Sequence, residues 1–525
     1  MRRSACVAGI VVVALILCSA AKSTEWQDSD AWPMYGRNLQ HTFHNPDAAI
    51  TPDNVAQLQS AWVFPTGDAV SASPAVVDGV VYTGSWDGFF YALDTRSGQL
   101  KWRFRLDCQM TVVPIPEVCG GLPPGPDPDR FKTPGGIVTA SPTVSHGTLY
   151  FAGGKTVYAV KTSDGMLLWK RVICGRPEEI DCASDANDPT QVLSSPALFD
   201  GRLFVGADTG GVTFGIPYRG GFVALDAKTG NLIWRFEVDP RLDANGHIAG
   251  AQSRGCGNVW SSPAIDPRLR LLFFGTADCE EQPLPPYHGS VLALETDTGR
   301  LRWVFRPRES DPNRCDFDFG ASPNLIEVSD KKYVGIGGKD GTYYLLDRLT
   351  GQPRWTTRVV FGGGVGGFFG GAAFDARRIF SATAFGDGNV NTQTGLCDPN
   401  YHDPANPNVV DTFVQDPSMH ALDAATGSIL WEANTNQSFG PTTLADRVVF
   451  SGFTGLSESE LPAIKAYDAR DGAPGNRLLF VYPTEINHRP GMVNSAVVPV
   501  GRMVFFGSGN FFDGSGSAIQ ALTLP

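Results

Sequence analysis

Charge is scarce in this chain of 525 residues: Asp and Glu together number 54, Lys and Arg 42, and the net charge of −12 comes with no basic cluster. That excludes the electrostatic footprint of a nucleic-acid binder and gives no means of adhering to an acidic membrane surface. Histidine is scarcer still, eight residues scattered without metal-ligand spacing, which leaves them structural or solvent roles. No CxxCH occurs, so the chain carries no covalent haem c site. Only one apolar run is long. It lies in MRRSACVAGIVVVALILCSAA, with a basic end, an apolar core and small residues near Ala20. This reads as a secretory signal over 1–21, too short to favour a transmembrane anchor, and it implies a periplasmic or secreted mature protein. Eight of the ten cysteines follow it. In an oxidising compartment, Cys108 with Cys119 and Cys174 with Cys182 are close enough for local bridges. Cys256, Cys279, Cys315 and Cys397 have no assigned partner.

What is present is a repeat. ALDAKTGNLIW, Ala224 to Trp234, has copies ending at Trp102, Trp169, Trp303, Trp355 and Trp431, a degenerate one with Phe480 near the Trp position, and an unfinished one at the C-terminus. An orphan closing half, LQSAWVFPTG around Trp62, stands near the other end. Asp and Thr can bond the turn backbone, Gly supplies a positive φ, and Trp offers a broad apolar face to a neighbouring unit. A second phrase precedes most copies, as in SPAVVDGVVYTGS from Ser73 and SPALFDGRLFVGA from Ser195: two apolar runs around a tight turn. Units longer than about 40 residues with four strands each predict an all-β fold, an eight-bladed β-propeller of four-stranded antiparallel blades. The N-terminal strand at Trp62 is expected to complete the last blade. Residues 22–58 read as a strap over the disc and 59–525 as the propeller.

The long insertions follow the second or fourth strand of a unit, which places them on one face of the disc, where function is expected. The Gly-rich FGGGVGGFFGG, Phe361 to Gly371, lacks the βαβ setting of a dinucleotide fingerprint. It is better read as backbone closely approaching a neighbour near the central channel. Asp318-Phe319-Gly320 resembles a kinase triplet without the other kinase motifs.

Three segments differ from bare repeats: GCGNVWSSPAID, with Trp260 just before an inner strand; FFGTADCEE, with Asp278 after a second strand; and NRCDFDFGASPNL followed by GGKDGTYYLLDRLTG, carrying Asp316, Asp318 and Lys339. With the WPMYG opening, this combination resembles the quinoprotein alcohol dehydrogenases, most closely their polyvinyl alcohol dehydrogenase branch. The resemblance spans nearly the whole propeller. It implies pyrroloquinoline quinone (PQQ) and a calcium or lanthanide ion in the channel. It makes Trp260 the face on which the quinone stacks, Lys339 a cofactor contact, Asp278 a metal ligand, Asp318 a further metal-side carboxylate and Asp316 the catalytic base. It also implies an alcohol or polymer substrate and an external electron acceptor such as a cytochrome c. These roles suit the chemistry, since alcohol oxidation needs a base for the hydroxyl proton and a Lewis acid at the acceptor. The adjacent Cys pair of the methanol-oxidising branch is absent. No Glu lies in Gly211 to Phe222 where many relatives place a metal ligand, and Asp208 is the candidate substitute.

Each residue also has a structural reading: Trp260 as packing, Asp316 and Asp318 as turn caps, Lys339 as part of a surface hairpin tip. The rival for the whole chain is a non-catalytic propeller scaffold of the outer-membrane assembly type that binds partner proteins.

Overall fold

The computed structural model describes residues 30–106, 138–175, 182, 188, 190–209, 220–240, 258–277, 286–307, 317–363, 366–384, 389–391, 409–411, 418–433, 436–455, 461–472, 477–486, 488–511 and 513–525. Within them lie eight antiparallel blades. Blade 1 runs Ala75–Val77, Val80–Gly84, Phe89–Asp94 and Leu100–Arg105, from inner to outer strand. Blades 2 to 7 repeat the pattern, with inner strands Thr143–Ser145, Ala197–Phe199, Ala264–Asp266, Asn324–Val328, Ala373–Phe374 and Thr443–Ala445. Blade 8 has Val498–Val500, Met503–Ser508 and Ala518–Thr523, and its outer strand is Gln59–Pro65 from the other end of the chain. The inner strand of blade 8 touches that of blade 1, so the ring is closed.

Local chemistry accounts for the blades. The inner hairpins turn on paired positive-φ residues, Asp78-Gly79, His146-Gly147 and Asp200-Gly201 among them, as two-residue turns that match strand twist require. The outer strands carry the tryptophans in constant register: Trp102 faces Ala92, Trp234 faces Ala224, Trp303 faces Ala293 and Trp62 faces Ala521. Phe480 takes the same place opposite Ala466 in blade 7. Each tryptophan lies on the turn glycine of the next blade. A Cβ added at Gly98 would come within 2.6 Å of Trp62, one at Gly165 within 2.7 Å of Trp102, and one at Gly351 within 2.6 Å of Trp303. The indole Nε1 donates to a carbonyl beside that turn, Trp62 to Thr95 at 2.8 Å, Trp102 to Thr162 at 2.9 Å and Trp303 to Arg348 at 3.1 Å. Blade 7, whose turn is the degenerate Asp471-Gly472, breaks the rule. Among the described residues Trp431 Nε1 has no acceptor, and the Arg477 guanidinium lies 4.9 Å from its ring centre.

Two inner girdles join the blades, and the first has no signal in the sequence. In the first, serines of the Ser-Pro phrase accept a backbone N–H from the preceding blade: Ser73 N–H to Ser141 Oγ, Ser141 to Ser195, Ser195 to Ser262, Ser262 to Ser322, and Ala496 back to Ser73. The second is the segment Trp32–Asn45, which circles the channel at its tight-turn end. It bonds the inner strands of blades 1, 2, 4, 5, 6 and 7 through backbone groups and that of blade 8 through Asn45 Nδ2. His44–Asn45 adds a short parallel strand to blade 7. Beneath this strap His41 is 1% exposed with Nδ1 3.1 Å from the Pro323 carbonyl, and burial pulls its pKa down to about 4.

Two outcomes follow. Trp303→Ala removes both glycine seat and acceptor contact and should cost about 3–5 kcal/mol. Trp431→Ala, lacking both, should cost clearly less; equal losses in denaturant titrations would contradict the docking account. For His41, the neutral ring is retained on folding while the unfolded chain protonates near pH 6.5. Stability from this group is therefore whole above about pH 6.5 and falls as pH drops towards about 4, by about 3 kcal/mol. A His41→Gln protein should lose that part of the slope in melting curves across this range, and an unaltered slope would remove His41 as its source.

Candidate active site

The segments singled out by the sequence converge at the channel end opposite the strap. Trp260 and Asp318 lead into the inner strands of blades 4 and 5, and Lys339 follows the second strand of blade 5, Lys331–Gly337. Lys339 Nζ lies 3.6 Å from Asp318 Oδ1, the side chains 5% and 3% exposed. Asp318 Oδ2 accepts the indole N–H of Trp260 at 3.3 Å, and the Lys339 backbone N–H donates to the Asp318 carbonyl at 3.0 Å. The ammonium also lies 5.9 Å from the Trp260 ring centre and 5.4 Å from that of Phe369. Phe369 stands 5.8 Å from Trp260 and 5.1 Å from Phe439, edge to face with the latter. The buried Lys339 side chain is thus held between a carboxylate and aromatic faces.

Glycines make this approach possible. A Cβ at Gly320 would fall 1.7 Å from Trp260 Cη2, so the indole can lie against the blade 5 entry strand only because that position has no side chain. The Gly-rich stretch folds over Lys339: Gly363 N–H donates to its carbonyl at 3.2 Å, and Cβ atoms at Gly362 and Gly367 would meet that oxygen at 1.6 and 2.4 Å. This is the close backbone approach read from the sequence. It also explains why Lys339 is not a surface tip. Gly341 does make a turn, at φ 76°, and Asp340 caps it through the Thr342 N–H at 3.0 Å, but Lys339 itself is 4% exposed.

Asp208 follows the second strand of blade 3, Arg202–Ala207. Its backbone forms a two-way bridge with Gln191, and its Oδ2 accepts Gln191 Nε2 at 3.4 Å. Among the described contacts it does not touch Trp260, Asp318 or Lys339. The link runs through the next residue, Thr209, whose N–H and hydroxyl donate to Asn258 Oδ1 at 2.9 and 2.7 Å. The Asn258 carbonyl in turn accepts the N–H of Ala277 at 2.7 Å. Asn258 therefore ties the strand ends at Thr209 and Ala277 to the segment carrying Trp260. It stands in the GNVW motif, where an Asn two residues before a Trp signals no obligate chemistry. Asp278 and Asp316 lie outside the described residues, as do Cys108, Cys119, Cys256, Cys279, Cys315 and Cys397. Phe369 and Phe439 carry no such sequence signal. The Cys174–Cys182 bridge is formed, with Cα atoms 5.7 Å apart.

A buried ion pair is seldom worth more to folding than apolar residues of the same size. Placed at a channel mouth, against a partly buried indole and two further aromatics, this pair suits a flat ligand bearing negative charge.

The profile of the glucose/ethanol/alcohol dehydrogenase β-propeller domain, of the PQQ type, matches residues 32–360. Polyvinylalcohol dehydrogenase of Pseudomonas sp. is 24% identical over 467 residues, covering 77% of this chain and 68% of the relative. Quinohemoprotein alcohol dehydrogenase ADH-IIG of Pseudomonas putida is 28% identical over 353 residues, 61% of this chain and 44% of its own. In fold, the quinohemoprotein alcohol dehydrogenase of Comamonas testosteroni superposes with a TM-score of 0.67 at 19% identity, over 94% of this chain and 80% of that one.

If Gly320 is the seat of the indole, Gly320→Ala should displace Trp260, change the near-ultraviolet dichroism and cost about 1–3 kcal/mol. A spectrum and stability like the parent's would show that the indole is not confined there.

Proposed function

Since the chain belongs to the PQQ β-propeller family of glucose, ethanol and alcohol dehydrogenases, matched across 32–360, we propose that it is a quinoprotein dehydrogenase oxidising alcohol groups. The secondary hydroxyls of a polymer such as polyvinyl alcohol are its substrate class, and electrons pass to an external acceptor such as a cytochrome c. The observation that carries this reading is the buried Lys339–Asp318 pair against the Trp260 face.

The residues present fit the cofactor. A planar, anionic quinone calls for an aromatic platform and a buried cation, and Gly320 leaves the indole room for one. Trp260 would hold it by stacking and Lys339 by an ammonium hydrogen bond to an oxygen. Asp278 and Asp318, with Asp208 as a third candidate, are the oxygen donors suited to a hard ion such as calcium or a lanthanide. When bound, PQQ supplies the two-electron acceptor for the hydride leaving the alcohol carbon.

The chain's own part is positional and acid–base. Asp316 is assigned the hydroxyl proton, which it takes as the alcohol is oxidised. Lys339, held by Asp318 and beside the ring faces, is placed to stabilise negative charge arising next to it. Asp318 fixes both Lys339 and the indole N–H, so ammonium and platform move together. The signal-like N-terminus and the Cys174–Cys182 bridge support a periplasmic or secreted setting. No helix among the described residues is long and apolar enough to cross a membrane. A scaffold propeller would have no use for a buried lysine–carboxylate pair at the channel mouth, and that reading is not favoured.

The test separates base from metal ligand. Asp316→Asn keeps shape but loses the base, and should lower kcat by about 10² to 10⁴ in a dye-linked assay while PQQ still binds. Asp278→Ala should weaken cation binding, with excess calcium restoring part of the activity. Full turnover in Asp316→Asn would reject the assigned base, and wild-type protein that takes up no PQQ would reject the dehydrogenase reading.

A further inference from the structure

Among the described residues the strap hydrogen-bonds to every blade but blade 3, on which its Met34 and Leu39 side chains pack. At the same inner-strand position in six blades, the N–H groups of Val76, Val144, Ile265, Leu325, Phe374 and Leu444 donate to strap carbonyls at 2.7–2.9 Å. Blade 8 has Pro499 there, which has no N–H, and its carbonyl accepts Asn45 Nδ2 instead. The blade 3 equivalent is Leu198, which pairs with Leu203 as Val144 pairs with Leu149. Among the described residues no strap carbonyl reaches it. Between Pro33, bound to blade 2, and Leu39, bound to blade 4, the strap turns away. Arg37 N–H closes a turn onto the Met34 carbonyl at 3.0 Å, with Gly36 and Arg37 both at φ 70°. A cavity of about 800 Å³ opens where it has left, over the inner hairpin of blade 3.

The walls of this cavity specify a chemistry. Met34, Leu39, Leu198 and Phe199 give it apolar surface, while Gln40 and Ser145 add neutral polar groups. Its charged residues, two acids and the cations Arg37 and Lys228, are offset in pairs: Asp200 binds Arg270 at 2.5 Å, Asp226 Oδ1 caps its own turn through Thr229 at 2.8 Å beside Lys228, and Arg37 lies 4.0 Å from Asp47. Neither sign of charge is left in excess to attract an ion, and the Leu198 N–H, in a position that elsewhere meets a carbonyl, calls for an oxygen acceptor. Apolar walls with scattered neutral donors and acceptors are how hydroxyl-bearing carbon chains and rings are held.

We propose that this cavity, on the face opposite the candidate active site, binds a neutral, hydroxyl-rich chain, one of whose oxygens takes the place at Leu198 that a strap carbonyl takes in the other blades. The site anchors the ligand and takes no part in the oxidation, so it goes beyond the dehydrogenase reading and can fail independently of it.

The experiment is saturation-transfer NMR and calorimetry on the full chain with two probes, a vinyl alcohol oligomer and maltotriose. Leu198→Pro removes the N–H together with the leucine side chain, for which Leu198→Ala is the control, with Pro499 as the precedent that this inner-strand position accepts proline, and Phe199→Ala removes an apolar wall without touching the backbone. At least one probe should bind at roughly millimolar strength, Leu198→Pro and Phe199→Ala should each weaken it by about tenfold, and Lys339→Met should leave it unchanged. Binding by the oligomer alone assigns the site to the polymer, and binding by maltotriose alone to a glycan. Binding by neither probe overturns the proposal, as does binding that survives both cavity variants or is lost in Lys339→Met. Dye-linked oxidation of a small secondary alcohol should be unaffected by Phe199→Ala, which separates failure of the anchor from failure of the enzyme reading.

Discussion

The structure depends on one contact made repeatedly: an indole laid on the turn glycine of the next blade, its N–H bonded to a carbonyl beside that glycine. A single blade cannot bury its apolar faces alone, so each blade owes its stability to its neighbours. The tryptophan fixes distance and rotation together, because a ring lying flat with one directed hydrogen bond admits little sliding. Where the turn degenerates, at Asp471-Gly472, the ring of Trp431 is covered by Arg477 instead. The circle closes all the same, through Phe480 and the strand bearing Trp62.

That rigidity positions the chemistry. Trp260, Asp318 and Lys339 sit where strands begin or end at the channel, so their backbones are fixed by the ladders on which they border. Glycine appears wherever backbone must come closer than a side chain allows, at Gly320 under the indole and at Gly362 and Gly367 over the Lys339 carbonyl. The strap seals the opposite end. A disc of this kind has two chemically distinct mouths, one lined by charge and aromatics and the other by the peptide backbone of a single circling segment.

Much of this is legible in the sequence because propeller repeats are local: Asp, Thr, Gly and Trp at constant spacing report a turn and a docking ring within a dozen residues. Strand count, face assignment and closure by Trp62 follow from that spacing, and the motifs around Trp260, Asp318 and Lys339 mark the residues that meet. The rest depends on contacts between distant segments. The serine girdle joins positions some 55 to 70 residues apart, and nothing about a Ser before a Pro announces it. Phe369 and Phe439 precede inner strands that lack the Ser-Pro phrase, so no pattern drew attention to them. Lys339 could be read as a surface tip because the Gly-rich stretch that buries it comes later in the chain.

The outer strand of blade 8 comes from the beginning of the chain and its three partners from the end. Gln59–Pro65 therefore has no sheet to join until Ala518–Thr523 has been made. Closure is a check on completeness: a chain cut short by ribosome stalling or by a protease retains one open blade edge, with unsatisfied backbone and exposed apolar surface that degradation machinery can recognise.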